Sequence, residues 1–352
     1  MTGPADWLRA AVRAVPPYTP GEQPGPGQRV IKLNTNENPY PPSEAVLRAL
    51  HAAVDERVRL YPDPEATALR AAASRLYGIP TDHILAGNGS DELLALLLRA
   101  LVEPGERVAF PVPTYSLYET LVSVQGGVLV ELPWPSDWSL PSGLGDAGAK
   151  LTFVCNPNSP SGTLVPVGAI EALARRIPGV LVVDEAYVDF AREHALALVG
   201  RLPNVVVLRT LSKSYSLAGL RVGLAFAVPE LLRGLRTVKD SYNLNRLSQA
   251  AATAALTDQA TARANVERVC RTRTRLTAAL RDLGYDVPES HANFVLARRR
   301  GVSQAPVATA LAARDILVRH FRTHGLDDAL RVSVGTDEEI DAFLAALRTV
   351  LR

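Results

Sequence analysis

Lys213 stands in the stretch TLSKSYSLAGLR, residues 210–221, directly after the apolar run NVVVLRT. The chain carries only four lysines, Lys32, Lys150, Lys213 and Lys239, among 38 basic residues, so a lysine at 213 calls for a chemical reason. A primary amine condenses with a carbonyl to form a Schiff base, which a guanidinium cannot do. Thr210, Ser212 and Arg221 surround it with hydroxyls and a planar fork of donors, a set that suits a phosphate. Taken singly, each also fits a plain turn at the mouth of a strand.

A second group follows the same logic. In VVDEAYVDF, Asp184 ends an apolar run, where an unpaired carboxylate is expensive to bury. A protonated pyridinium nitrogen would be a fitting partner, and Tyr187 could bond a phenolic oxygen on the same ring. AGNGSDE runs through Gly89 into Ser90 and Asp91 at an expected helix start, whose free N–H groups suit a phosphate. Ser90 reads as the N-cap, with Asp91 and Glu92 in the first turn. Tyr115, in PTYSLYE, offers a face for stacking. NPNSPSG, residues 156–162, adds Asn156, Asn158 and Ser159 as polar groups, with Pro160 suited to a tight turn. A helix-capping Asp, a well-capped helix, a core tyrosine and an ordinary loop are the plain alternatives.

These residues need elements to bring them together. RVAFPV, GVLVELP, KLTFVCNP, GVLVVDEA, NVVVLRT and RVGLAFAV are short β-rich runs, several of them apolar on both sides. That pattern predicts a mostly parallel sheet covered on both faces, with ligands at the carboxyl ends of its strands. Helices are expected over PSEAVLRALHAAV, over the stretch ending at Gly78, and over GSDELLALLLRALV. After about residue 241 a long Ala/Arg-rich helical stretch runs to about 283, followed by the strand candidates ANFVLAR, ILVRHF and LRVSVGT and a closing helix. The organisation expected is α/β: an N-terminal arm over 1–42, a large domain over 43–240 and a smaller α+β domain over 241–352.

With 352 residues, 47% apolar and 21% charged, the chain has the profile of a globular enzyme of more than one core. A net charge of +2 with dispersed arginines gives no case for nucleic acid. Cys155 and Cys270 make no disulfide framework, and no Cys/His spacing suggests a metal. The first twenty residues lack an apolar signal-peptide core and no run reaches membrane-spanning length, so a cytoplasmic location is expected.

In order, LNTNENPYPPS, RLYPDP, GNGSDELL, PTYSLYE, NPNSPSGT, VVDEAYVDF, TLSKSYSLAGLRVG and LRVSVGTDEE span residues 33–339. Together they resemble the fold-type I pyridoxal-phosphate aminotransferases, and more closely the histidinol-phosphate aminotransferase family. The resemblance implies a large domain with a mostly parallel seven-stranded sheet and pyridoxal 5'-phosphate as cofactor. It makes Lys213 the Schiff-base lysine and proton shuttle, Asp184 the partner of the ring nitrogen, Tyr187 that of the phenolic oxygen, and Tyr115 the stacking ring. Gly89, Ser90, Asp91, Thr210, Ser212 and Arg221 would hold the cofactor phosphate. Tyr61 would reach the phosphate of a partner subunit, implying a homodimer with shared active sites. Arg331 matches the arginine that clamps the substrate carboxylate and Arg319 a position near the distal group, while Tyr18 and Asn38 would contact the substrate from the arm. The chain departs from many relatives at Ser159, where they carry the asparagine that bonds the phenolic oxygen; Asn156, Asn158 and Ser159 all stay open for that bond.

The implied reaction is ping-pong transamination between an amino donor and a 2-oxo acid acceptor, with L-histidinol phosphate and 2-oxoglutarate as the expected pair. Aromatic or specialised amino acid aminotransferases and phosphothreonine-decarboxylase-like lyases share these cofactor motifs. A ligand-sensing module fused to a DNA-binding domain does too, but no helix-turn-helix pattern is read here.

Overall fold

A computed structural model describes residues 3–16, 21–25 and 27–352. Eleven strands form two sheets. β1 is Ile31–Leu33, β2 Ile84–Gly87, β3 Arg107–Val112, β4 Val128–Pro133, β5 Leu151–Cys155 and β6 Val180–Asp184. β7 is Val205–Thr210, β8 Gly223–Phe226, β9 Phe294–Arg298, β10 Ile316–His320 and β11 Ala329–Ser333. The larger sheet has the order β2-β8-β7-β6-β5-β3-β4, parallel except for β8, which runs against both neighbours. Side chains alternate across its central strands. Phe153, Val182 and Val206 enter one apolar cluster, Val154, Val183 and Val207 the other, so both faces are buried as the unbroken apolar runs require.

The register lines up the chemistry. Asp184 lies beside Cys155 on β5 and Leu208 on β7, so β5, β6 and β7 finish together. Thr210 pairs with Gly223, which pairs in turn with Gly87, so β8 starts and β2 ends on the same edge. The smaller sheet has the order β1-β10-β11-β9, with β1 parallel to β10 and the rest antiparallel. Leu276 and Leu280 of the helix Gln259–Asp282, and Ile340, Phe343 and Leu347 of the closing helix Asp337–Val350, cover one face of it. Thr336 and Glu339 form a capping box at the start of that closing helix.

Three expectations need correction. The helical stretch after 241 is two helices, Arg246–Thr257 and Gln259–Asp282, parted at Asp258, whose side chain caps the second. The first carries Ala251, Ala252, Ala255 and Leu256 into the core that holds Val46 and Leu69, so the larger core continues past residue 241 to the end of that helix. The helix expected to be capped by Ser90 runs over Gly89–Leu101 with Asn88 as N-cap, which puts the Ser90 N–H inside the first turn. Among the described residues no helix is long and apolar enough to cross a membrane.

Candidate active site

The strand ends open into a cavity of about 570 Å³ whose walls come from both sheets. Lys213 enters it three residues past β7. Its Nζ donates to the Thr35 carbonyl at 3.3 Å and stands 5.7 Å from the centre of the Tyr187 ring. Removal from water, reinforced by the Arg331 guanidinium, lowers its pKa to about 8, against the pull of Glu37 and Asp91. At neutral pH a far larger share of Lys213 is therefore neutral, nucleophilic amine than of an ordinary lysine.

Asp184 ends β6, 2% exposed. Burial pushes its pKa up to about 6, although Tyr118 Oη donates to Oδ2 at 2.7 Å and the Ala186 N–H to Oδ1 at 3.2 Å. Tyr187 is buried nearby, and its Oη accepts a hydrogen bond from Asn36 Nδ2 at 3.1 Å. That leaves the phenol's own proton for another acceptor. Burial pushes this phenol up to about 12, so it remains a donor throughout the working pH range.

Ser90, Asp91, Thr210, Ser212 and Arg221 converge on one corner of the cavity. Thr210 Oγ1 donates to Ser212 Oγ at 2.9 Å, and Arg221 Nη1 reaches the same Oγ at 3.4 Å. Asp91 accepts from Arg221 Nη2 at 3.1 Å with one oxygen and from Tyr115 Oη at 3.1 Å with the other. The wall demands two glycines. A Cβ at Gly223 would lie 2.6 Å from Ser90 N, so β8 passes directly under the helix start. A Cβ at Gly89, where φ is +81°, would lie 2.5 Å from Arg221 Nη2. The end of an arginine can swing away, so Gly89→Ala is expected to displace the guanidinium, with the left-handed φ adding backbone strain of its own. Its affinity for inorganic phosphate or a phosphate ester should fall about ten- to a hundredfold, read by titration.

Arg319 and Arg331 sit opposite each other on β10 and β11, and both line the cavity. Arg331 Nη2 donates to the Asn34 carbonyl at 2.8 Å and Nη1 to Ser159 Oγ at 3.3 Å. Of the three residues left open for a phenolic oxygen, Ser159 is the one that lines the cavity. Asn156 exchanges both amide bonds with the Val165 backbone. Asn158 is held by Thr114, Ser161 and the Pro113 carbonyl. The Ser159–Pro160 bond between them and the cavity is cis.

One expected residue lies elsewhere. Asn38 Nδ2 donates to the carbonyls of Lys213 and Ser214, each at 3.1 Å, so it braces the lysine's backbone where a substrate contact was expected. Tyr61 is 79% exposed and stacks on Tyr242 with ring centres 4.3 Å apart. Tyr18 falls outside the described residues. In turn, Asn34, Thr35, Asn36 and Glu37 line the cavity without having been singled out. They belong to LNTNENPYPPS, and the outcome rests on remote bonds: Ser333 Oγ and Asn293 Nδ2 hold Asn36 in the left-handed region at φ +57°. Tyr118 was also missed. Nothing local separates it from any apolar position on the helix Leu117–Gln125.

The profile of the family "Aminotransferase class I and II" matches residues 28–347. Histidinol-phosphate aminotransferase 1 of Trichormus variabilis is 47% identical over 348 residues, covering 99% of each chain. Histidinol-phosphate aminotransferase of Syntrophotalea carbinolica is 47% identical over 343 residues, 97% of this chain and 99% of that one. Among solved structures, histidinol-phosphate aminotransferase from Sinorhizobium meliloti in complex with pyridoxal-5'-phosphate superimposes with a TM-score of 0.90 at 28% identity, covering 98% of both chains.

Proposed function

Because the chain belongs to the class I and II aminotransferases, we propose that it is a histidinol-phosphate aminotransferase, moving the amino group of L-histidinol phosphate to 2-oxoglutarate with pyridoxal 5'-phosphate as cofactor. The observation that carries the substrate assignment is 47% identity with enzymes of that name along essentially the whole of both chains.

The cavity's own residues suit the cofactor. The corner at Ser90, Thr210, Ser212 and Arg221 supplies an N–H, two hydroxyls and a guanidinium, the donor chemistry of a phosphate site. The Arg221 guanidinium occupies the place that a Cβ at residue 89 would take. Asp184, a buried carboxylate with a raised pKa, gains from a ring-nitrogen cation the partner that offsets its burial. Bound there, the cofactor supplies an electron-withdrawing ring that acidifies the Cα–H of the amino donor.

The remaining work falls to the chain. Lys213 Nζ anchors the cofactor and, once released, takes the proton from the donor's Cα and redelivers it. Asp184 keeps the ring nitrogen protonated, Tyr187 donates to the phenolic oxygen with Asn36 steadying it from behind, and Tyr115 stacks on the ring while Asp91 fixes its hydroxyl. Ser159 lies within reach of both the cavity and Arg331. Arg331 and Arg319 bind the anionic ends of the donor and the acceptor, a phosphate ester in one case and carboxylates in the other. A homodimer accords with the exposed strip of Val54, Val58, Leu60 and Tyr61, which a second copy would cover, bringing Tyr61 to the neighbouring phosphate. The free thiols Cys155 and Cys270 suit a reducing compartment, and we assign the enzyme to the cytoplasm.

A donor panel tests the assignment. L-Histidinol phosphate should exceed phenylalanine, tyrosine and phosphothreonine in the half-reaction by at least about a hundredfold in kcat/KM. Equal or faster turnover of any of the three would move the function to that substrate.

A further inference from the structure

Asp184 is held from behind by a residue that does not line the cavity. Tyr118 is 0% exposed and its Oη lies 2.7 Å from Asp184 Oδ2. Its ring stacks on Phe153 with centres 4.7 Å apart and planes 15° apart, and meets Tyr115 edge-on at 5.6 Å and Phe110 at 5.9 Å. One buried side chain thus bears on both groups that would flank the cofactor ring, the carboxylate and the stacking tyrosine. The geometry leaves Tyr118 little freedom. Its ring is clamped on three sides, and its helix follows Tyr115 directly, with the Tyr118 N–H on the Tyr115 carbonyl at 3.1 Å.

We propose that Tyr118 is a positioning residue, which holds Asp184 as a carboxylate aimed into the cavity and through it sets the pH range over which the cofactor's ring nitrogen stays protonated. This rests on the functional reading above and assigns a role within that same site. A buried phenol beside a carboxylate does not ionise, since burial and then the charge of Asp184 drive its pKa well up, so it donates at every working pH. The donation stabilises the charged form of Asp184 and opposes the burial that would neutralise it. The other ionisable groups facing Asp184 are Asp91 from the helix Gly89–Leu101, Lys213 after β7, Cys155 at the end of β5 and Tyr187 after β6. Asp91 and Lys213 act on it in opposite directions, leaving the Tyr118 hydroxyl as the main side-chain contribution on the charged side.

The test is the pH dependence of pyridoxal phosphate binding to the full-length apoprotein, followed by titration calorimetry. Wild-type affinity should fall on the acid side as Asp184 takes a proton. Tyr118→Phe keeps the ring contacts and removes only the hydroxyl, and should move that acid limb upward by about one pH unit or more. 3-Fluorotyrosine at 118, a stronger donor of nearly the same shape, should move it downward, an opposite shift that loss of packing cannot produce. Asp184→Asn should abolish the limb, and adding Tyr118→Phe to it should change nothing further. Coincident limbs in wild type and Tyr118→Phe, or an upward shift with fluorotyrosine, overturn the proposal. Failure of the functional reading looks different: a wild-type protein that takes up no cofactor at any pH.

Discussion

Lys213→Ala is expected to abolish transamination, with a loss of at least about 10⁴-fold in kcat, because one side chain serves as both the covalent anchor and the proton carrier. The fold should survive. Lys213 is a cation held out of water at a lowered pKa, so below about pH 8 its charge weakens the folded state, and truncation relieves that burden. Purified variant should therefore melt no lower than wild type in the apo form near neutral pH, while lacking the visible band of a lysine-linked cofactor and the covalent adduct that borohydride leaves. An unchanged spectrum in the variant would sink the assignment of Lys213. The wild-type protein adds a pH signature. Attachment needs the neutral amine, so its rate at saturating cofactor should climb with pH and level off above about pH 8, some two units earlier than for an ordinary lysine.

Asp184→Asn should trade catalysis for stability. Replacing the carboxylate removes the charge that holds the ring-nitrogen proton, and a fall of about 10²–10³-fold in kcat is expected from an electrostatic contribution of this kind, with a smaller change in KM. The apoprotein should respond in the other direction. Asp184 has a folded pKa of about 6 against 3.8 for the free carboxyl, so unfolding is favoured by ionisation. The folded state is at its best below pH 4, loses ground between pH 4 and 6 as the unfolded chain gives up its proton first, and carries the full penalty above. Asparagine escapes that penalty. Denaturant titration above pH 6 should show the variant more stable by about 2–3 kcal/mol, and at pH 4 the two should converge. A variant no more stable than wild type at pH 7.5 would mean that Asp184 is already neutralised by the protein and has no need of a cationic partner.

How far the site was legible depends on whether its geometry is local. Lys213, Asp184, Thr210 and Ser212 lie at or just past the ends of strands whose apolar runs are unmistakable, so their positions follow from the rhythm of the chain. The corner at Gly89 and Arg221 was readable in type, but not the left-handed φ and the close approach of Arg221 that favour glycine at 89. Asn36 and Asn38 belong to one motif and differ in fate because Ser333 and Asn293, remote in sequence, take hold of Asn36. Tyr118 carries no mark at all until Asp184 is seen beside it. The Ala-rich helix Arg246–Thr257 has the same pattern whichever core it joins, and only its packing beside Val46 and Leu69 decides. β1 and β2, three and four residues long, are too short to show a period and exist as strands through their partners.

The pairing of β1 with β10 bears on how the molecule comes into being. Ile31 opens the first strand and Ile316 the tenth, yet each is the other's neighbour in the smaller sheet. The seven-stranded sheet and its two apolar clusters can assemble as soon as the helix Arg246–Thr257 has emerged, with Lys213 already at its edge. The wall that Lys213 leans on cannot. Thr35 and Asn36 are pinned by β1, Asn293 and Ser333, so they wait for β9, β10 and β11, the slow closure expected of a contact so distant along the chain. A chain cut short before β10 lacks that wall and Arg331, and its Lys213 amine is expected to titrate closer to an ordinary lysine. The pairing of β1 with β10 is the event that arms it.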